Sequence, residues 1–405
     1  MSKTILLIGT LDTKGAEFAY VRDLIQARGL NTLVLNAGIF ESNLEGDINA
    51  VTVAQAGGGD LGQMRAANDR GGAVRIMTAG VAKLVPQLYA DGRFDGVLSL
   101  GGSGGTAMAT AGMRALPVGV PKIMVSTVAS GDVAPYVDVT DITMMYSVVD
   151  IAGLNKLSRQ ILANAAGMIV GAVEQPRPAA EDKPLIAATM FGVTTPCVNQ
   201  VREQVEAAGY EMLVFHATGS GGRAMEALIA GGFIEGVADI TTTEWCDELV
   251  GGVLTAGEHR LEAAGQQRVP QVVSVGALDM VNFWSMATVP EQFRARNLYQ
   301  HNENVTLMRT TPTETAQLGR IIAEKLNMAQ GPTVLMLPLR GVSALDAEGG
   351  AFWSPEADTA LFDAIRTHLR DNVELVELDA HINDAVFATA LADRLLQLVS
   401  AQKAN

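Results

Sequence analysis

The amino-acid sequence predicts an α/β protein built from two Rossmann-like, doubly wound parallel-sheet domains. Three observations carry that expectation. Short β-branched apolar runs alternate with longer segments of helical period, the pattern of a parallel sheet covered by helices on both faces. The chain has 405 residues, more than one ordinary core absorbs, with a 48% hydrophobic composition that supplies ample material for buried sheets. Prolines and charges in "EQPRPAAEDKP" (174–184) interrupt the alternation before a new apolar strand begins, which sets the expected domains at 1–180 and 181–405.

In the first domain, the apolar runs place strands at 3–8, 32–36, 96–100 and 122–126. Helical period places helices at 15–28, 62–70, 73–89, 105–114 and 150–172. In the second, strands are expected at 185–190, 212–215, 236–239, 271–275, 305–308, 333–337 and 373–378. The intervening helices fit 196–208, 222–231, 312–327, 355–369 and 384–399. The two openings look alike: "TILLIGTLDTKGAEFAYVRDLIQARGLNTLVLNAG" lies well beside "PLIAATMFGVTTPCVNQVREQVEAAGYEMLVFHATG". Each reads strand, Gly/Thr-rich turn, helix ending in Ala-x-Gly, strand. A distant duplication explains this, and so do the demands common to any βαβ unit.

With 29 basic against 44 acidic side chains the formal charge is −15, which works against nucleic acid as a partner. No apolar run reaches the length of a membrane span, so no membrane partner is expected and the location expected is cytoplasmic. Cys197 and Cys246 form neither a metal spacing nor a disulfide framework. Cys246 is read as a packed small hydrophobe, with a thiolate nucleophile as the alternative.

Three turns following strands of the first domain carry the chemistry: "GTLDTKG", "GGSGGT" and "STVASGD". Strand-to-helix turns of a doubly wound sheet present backbone N–H groups and the positive end of a helix dipole at the carboxyl edge, where anions bind. In the second turn Gly101, Gly102, Ser103, Gly104, Gly105 and Thr106 let a phosphate approach the main chain and add two hydroxyls. The alternative is a turn whose glycines serve only close helix packing. In the first turn, Gly9 and Thr10 precede Asp12, Thr13 and Lys14. Lys14 is placed to neutralise phosphate and Asp12 to hold magnesium directly or through water, against a plain helix cap and a solvated lysine. Ser130, Gly131 and Asp132 repeat the theme in the third turn.

At "GTLDTKGAE", "LSLGGSGGT" and "STVASGDVAPYV", and again at "ALDMVNFW", "HNENVTLMRTT" and "LPLRGVSALDAEGGAFW", the chain resembles a bacterial family related to the ATP-binding amino-terminal domain of the tomato protein that confers resistance to tomato mosaic virus. The resemblance implies ATP in the first domain, contacted by the residues of the three turns, and a homodimer. A TIM-barrel partner protein is implied as well, because bacterial relatives often accompany one.

In the second domain, Arg309 and Arg340 at strand ends suit a carboxylate or phosphate through their planar forks. His301 and His381 are the candidate acid–base groups beside them, although strand-end Arg and His also cap neighbouring helices. The leading expectation is therefore a nucleotide-binding protein that uses ATP and magnesium on a small acidic metabolite. The alternatives are a nucleotide-regulated interaction module, and a lyase or hydrolase with its site in the second domain.

Overall fold

The computed structural model describes residues 2–67, 69–176 and 182–404. The chain divides into two compact units, Met1–Ala179 and Ala180–Asn405.

The first unit runs β1 (Thr4–Gly9), α1 (Leu11–Gln26), β2 (Asn31–Asn36), α2 (Ala50–Ala56), α3 (Leu61–Ala67), α4 (Arg70–Ala90), β3 (Gly96–Gly101), α5 (Ser103–Arg114), β4 (Lys122–Ser126), α6 (Ala134–Val137), β5 (Thr143–Tyr146) and α7 (Lys156–Glu174). All strand pairs are parallel, in the order β2-β1-β3-β4-β5. Alternate residues of one strand feed opposite faces. Ile5 and Leu7 pack with Phe18, Val21 and Ile25 of α1 and Ile169 of α7, while Leu6 and Ile8 pack with Val53 of α2, Met77 and Val81 of α4 and Met113 of α5. Both faces are therefore apolar, and only the strand ends are left for polar chemistry.

The second unit runs β6 (Leu185–Met190), α8 (Thr195–Ala207), β7 (Glu211–His216), α9 (Ser220–Ala230), β8 (Ile234–Thr241), α10 (Glu244–Val250), α11 (Ala263–Gln266), β9 (Gln271–Gly276), β10 (Met280–Phe283), β11 (Leu298–Asn302), β12 (Val305–Arg309), α12 (Pro312–Leu326), β13 (Thr333–Pro338), α13 (Pro355–His368), β14 (Glu374–Leu378) and α14 (Ala385–Lys403). Its six-stranded parallel sheet has the order β14-β13-β9-β8-β6-β7. Taken from the β7 edge, this places the second strand of the sheet beside the first, then the third, fourth and fifth, the same winding as the first unit. The two sheets thus share a strand order as well as similar opening sequences.

Strand 305–308 departs from the expected pattern. As β12 it belongs to a separate antiparallel sheet, β10-β12-β11, because Glu303 and Asn304 turn the chain straight back from β11 and so short a connection permits only antiparallel pairing. Strand β5 and helix α2 lie where no element is expected. Helix α7 begins at Lys156, with Asn155 capping the N–H of Leu157 and Ser158, and the preceding 150–155 are loop.

Candidate functional site

Strands β1 and β3 are neighbours, so the turns that follow them bring the amino termini of α1 and α5 side by side at the carboxyl edge. A cavity of about 520 Å³ opens there, lined by Thr10, Asp12, Thr13 and Lys14 from the first turn and by Gly102, Ser103, Gly104 and Gly105 from the second. Gly9 and Gly101 end the strands behind it. A Cβ at Gly9 would fall 2.2 Å from the Phe18 ring, so Gly9 is there for packing. Thr106 is buried, its hydroxyl donating to the Gly102 carbonyl at 2.8 Å and bonded to Ser126 Oγ at 2.6 Å. Ser130, Gly131 and Asp132 are exposed in the turn after β4 and do not line the cavity; the Asp132 carboxylate accepts from the Ala134 N–H. Two of the three turns meet around one space.

The glycines of the second turn sort by what surrounds them. A Cβ at Gly101 would lie 3.2 Å from the Gly105 backbone, whereas one at Gly104 would meet nothing within 4 Å and one at Gly105 nothing nearer than 3.9 Å. None of these three has a positive φ. Close packing therefore accounts for Gly101 and leaves Gly104 and Gly105 unexplained. The backbone N–H groups of Ser103, Gly104 and Gly105 are the free donors of a helix start.

The second unit supplies a comparison within the same chain. Gly219-Ser220-Gly221-Gly222-Arg223-Ala224-Met225 repeats the form of Gly102-Ser103-Gly104-Gly105-Thr106-Ala107-Met108, each at the start of a helix. There the anion position is filled from within, because Glu244 Oε1 accepts from the N–H of Gly219 at 2.7 Å and of Gly222 at 3.1 Å. A Cβ at Gly221 would strike the His216 carbonyl at 1.8 Å, and one at Gly222 the Glu244 carboxylate at 2.2 Å. The same loop is thus plugged by a carboxylate in one unit and opens on a cavity in the other.

Cations gather at the open site. Lys14, Arg65 and Arg70 line it. Lys14 departs from helical geometry (φ −131°, ψ 23°), and its ammonium donates to the Ile151 carbonyl. Buried Glu17, one turn on, accepts from the Gly153 N–H at 2.6 Å, so the first turn of α1 is tied to the 151–153 loop. Asp12 serves as a clasp: its Oδ2 accepts from the N–H of Ile39 at 2.9 Å and of Phe40 at 3.0 Å. Its Oδ1 is buried without a partner and would lie 2.6 Å from a Cβ at Gly38. Ile39, Met64, Val74 and Met108 add apolar surface to the same lining.

In the second unit, Arg340 and His381 line a cavity of about 760 Å³ together with Asp358. Arg340 is committed to Asp379 through two 2.6 Å bonds. His381 Nδ1 accepts from the Asn383 N–H at 3.1 Å, which leaves Nε2 to donate to the Ser343 carbonyl at 2.8 Å, so neither nitrogen is free for proton transfer. Arg309 is buried behind this wall. Its guanidinium bonds the Phe352 carbonyl (2.7 Å), Thr310 Oγ1 (2.9 Å), Asp358 (2.9 Å) and Asp346 (3.5 Å). His301 is exposed on β11, outside that cavity. Cys246 is fully buried and burial pushes its thiol well up, as suits a packed hydrophobe rather than a nucleophile.

Burial, with the charges of Asp279 and Asp358, pushes the Asp346 carboxyl up to about 8 against the pull of Arg309. An unfolded aspartate loses its proton near about pH 4. Asp346 therefore contributes stability that is full below that point and is lost as pH rises toward 8. Asp346→Asn, which cannot ionise, is expected to flatten the decline in urea midpoint between about pH 5 and about pH 8.5. Trp245, Trp284 and Trp353 all lie in the second unit, so their fluorescence reads that unit's unfolding. Equal slopes in variant and wild type would refute it.

Residues 3–178 match the family model described as the N-terminal domain of an uncharacterised protein family (UPF0261), and residues 183–399 match its C-terminal domain. The chain belongs to this family. A UPF0261 protein of Clostridium tetani is 53% identical over 402 residues, covering 98% of this chain and all of its own length. The tomato mosaic virus resistance protein Tm-1(GCR237) of Solanum lycopersicum is 41% identical over 423 residues. That alignment covers 98% of this chain but 56% of the tomato protein, so this chain spans little more than half of it. Among solved structures, UDP-N-acetylglucosamine 2-epimerase from Rickettsia bellii is similar with a TM-score of 0.23 and 9% identity, over 99% of this chain and 96% of that one.

Sequence reasoning on this UPF0261 chain did not single out Arg65, Arg70 or Phe40, which line the cavity from the segment after β2 and from the α3–α4 region. The recurrence of the Gly-Ser-Gly-Gly form at 219–222 was readable and would have prompted the comparison above. Among the described residues no helix is long and apolar enough to cross a membrane, and no group of three His, Cys, Asp or Glu side chains is placed to hold a metal ion.

Proposed function

We propose that the first unit binds ATP, with the phosphates at the paired amino termini of α1 and α5 and the base against the apolar part of the lining. The observation that carries this is the open helix start at Ser103–Gly105: unpaired N–H donors on residues that line a cavity, next to a glycine that packing does not require. Lys14, Arg65 and Arg70 supply countercharge, and Ile39, Met64, Val74 and Met108 take the less polar half of the ligand. The cavity, about 520 Å³, is of ordinary ligand size. The resemblance to the ATP-binding amino-terminal domain of the tomato resistance protein points the same way.

Magnesium fits this site only as a partner of the phosphates. Asp12 has one uncommitted carboxylate oxygen, Oδ1, and Mg²⁺ commonly keeps several waters while taking one or two carboxylates plus substrate phosphates. Asp12 would hold the ion, and the ion would screen the phosphate charge. The role of the chain itself is to present amides and cations in fixed geometry. Arg309 and His381 have their polar atoms engaged internally and Arg340 is paired with Asp379, so the reading stops at nucleotide binding and assigns these residues no metabolite.

Calorimetric titration with ATP and magnesium is expected to give one site per chain with a Kd of about 1 μM, near −8 kcal/mol. No heat at about 1 mM ATP, a concentration that detects sites of only about −4 kcal/mol, would overturn the reading.

A further inference from the structure

Resting on the nucleotide reading, we infer that Phe40 is the residue on which the planar ring of the ligand stacks, and that Asp12, besides offering Oδ1 to an ion, holds Phe40 in place through Oδ2. The segment after β2 crosses the cavity and is fixed at each step. Asn36 Oδ1 accepts from the Gly38 N–H at 2.8 Å, and Asp12 Oδ2 accepts from Ile39 and Phe40. Arg65 Nε donates to the Ile39 carbonyl at 2.6 Å, and Ser42 Oγ to the Leu11 carbonyl at 2.7 Å. With the backbone so constrained, the Phe40 side chain is still 61% exposed, the most exposed of the large hydrophobic side chains among the described residues.

A rigid backbone that presents an uncovered ring is preorganised for a ligand, because ordering it on binding costs little conformational entropy. Phe40 is the one aromatic ring among the described residues lining this cavity. The anion-binding helix start of α5 and the cations account for phosphates, and nothing else in the lining offers a flat apolar face. A base stacked on an aromatic side chain gains affinity without depending on base identity, so Phe40 recognises the presence of a ring while the amides recognise the phosphates.

The test compares ATP with inorganic tripolyphosphate, both with magnesium, on wild type, Phe40→Ala and Phe40→Trp. Phe40→Ala is expected to weaken ATP binding by about tenfold or more and to leave tripolyphosphate binding within about twofold. Phe40→Trp is expected to keep the ATP affinity and to add an emission that ATP quenches and tripolyphosphate does not. Wild type, whose three tryptophans belong to the second unit, is the control for that signal. Equal losses for both ligands, or no loss for either, would overturn the stacking role while leaving nucleotide binding intact. Tripolyphosphate binding with no ATP binding by wild type would overturn both readings, as would binding of neither.

Discussion

A Gly104→Val variant is expected to fold with the stability of the wild type and to lose ATP affinity by about 100-fold or more. Both halves follow from the space around one missing side chain. A Cβ at Gly104 meets no protein atom within 4 Å and the backbone there is not left-handed, so the fold does not demand glycine. Valine and glycine differ by only about 0.5 kcal/mol in helix propensity, in favour of valine, so the melting temperature should hold. The new methyl groups would instead stand at the start of α5, where Ser103, Gly104 and Gly105 line the cavity. Hydrogen bonds to a charged partner are worth about 1.5–3 kcal/mol each, and losing two of them accounts for the expected drop. Gly221→Val, at the matching position of the second unit, should behave in the opposite way. Its Cβ would lie 1.8 Å from the His216 carbonyl, so it should destabilise the second unit by several kcal/mol, on the order of an overpacked core. Calorimetry and thermal melts on the two variants decide the matter. Wild-type ATP affinity in Gly104→Val would remove the phosphate from the start of α5, and unfolding of Gly104→Val would make its glycine a packing residue after all.

That experiment also marks how far the sequence could be read. Strands such as β1, β3, β6, β9 and β13 were legible because both faces of a parallel sheet are buried, so each strand reads as an unbroken apolar run. Strand β5, Thr143–Tyr146, is a four-residue strand at a sheet edge with no buried residue, and β11 is almost wholly exposed without an apolar run. The glycine-rich turn was legible as a candidate for phosphate, but composition could not separate a packing glycine from an open one. Gly101 and Gly104 look alike in the sequence and differ in the distance to the nearest atom. Asp12 was legible as an oxygen donor and not as a clasp, since its partners Ile39 and Phe40 stand 27 and 28 residues away. Arg309 and His381 carry only a chemical type at a strand end, a signal that serves internal hydrogen bonding as well as substrate binding.

Arg260 shows the same limit from the other side, and Arg260→Met is expected to be strongly destabilising. It stands in the run "GEHRLEAAG", which the sequence leaves unassigned, and is 2% exposed. Its guanidinium pairs bidentately with Asp239 at 2.5 and 2.6 Å, bonds Glu244 at 2.7 Å and reaches Glu226 at 3.3 Å. Three carboxylates from β8, α9 and α10 thus converge on one cation. Burial pushes the Glu226 carboxyl up, with Arg260 opposing the shift; burial pulls the Arg260 guanidinium down, and the three carboxylates, Asp239 foremost, outweigh it and hold the group well above its ordinary range. Replacing the whole network by apolar groups need not cost stability. Removing only the cation strands buried negative charge, a penalty of about 3–5 kcal/mol. Urea unfolding followed by tryptophan fluorescence should register that loss at about pH 8 and a smaller one at about pH 5, because burial raises the Glu226 carboxyl and without Arg260 nothing opposes its protonation. Adding Glu244→Gln to Arg260→Met should recover part of the loss at about pH 8, because one of the unpaired charges is gone and the amide oxygen can still accept from Gly219 and Gly222. A loss below about 1 kcal/mol, or one independent of pH, would mean that water reaches the network and that Arg260 is not what holds these carboxylates in the interior.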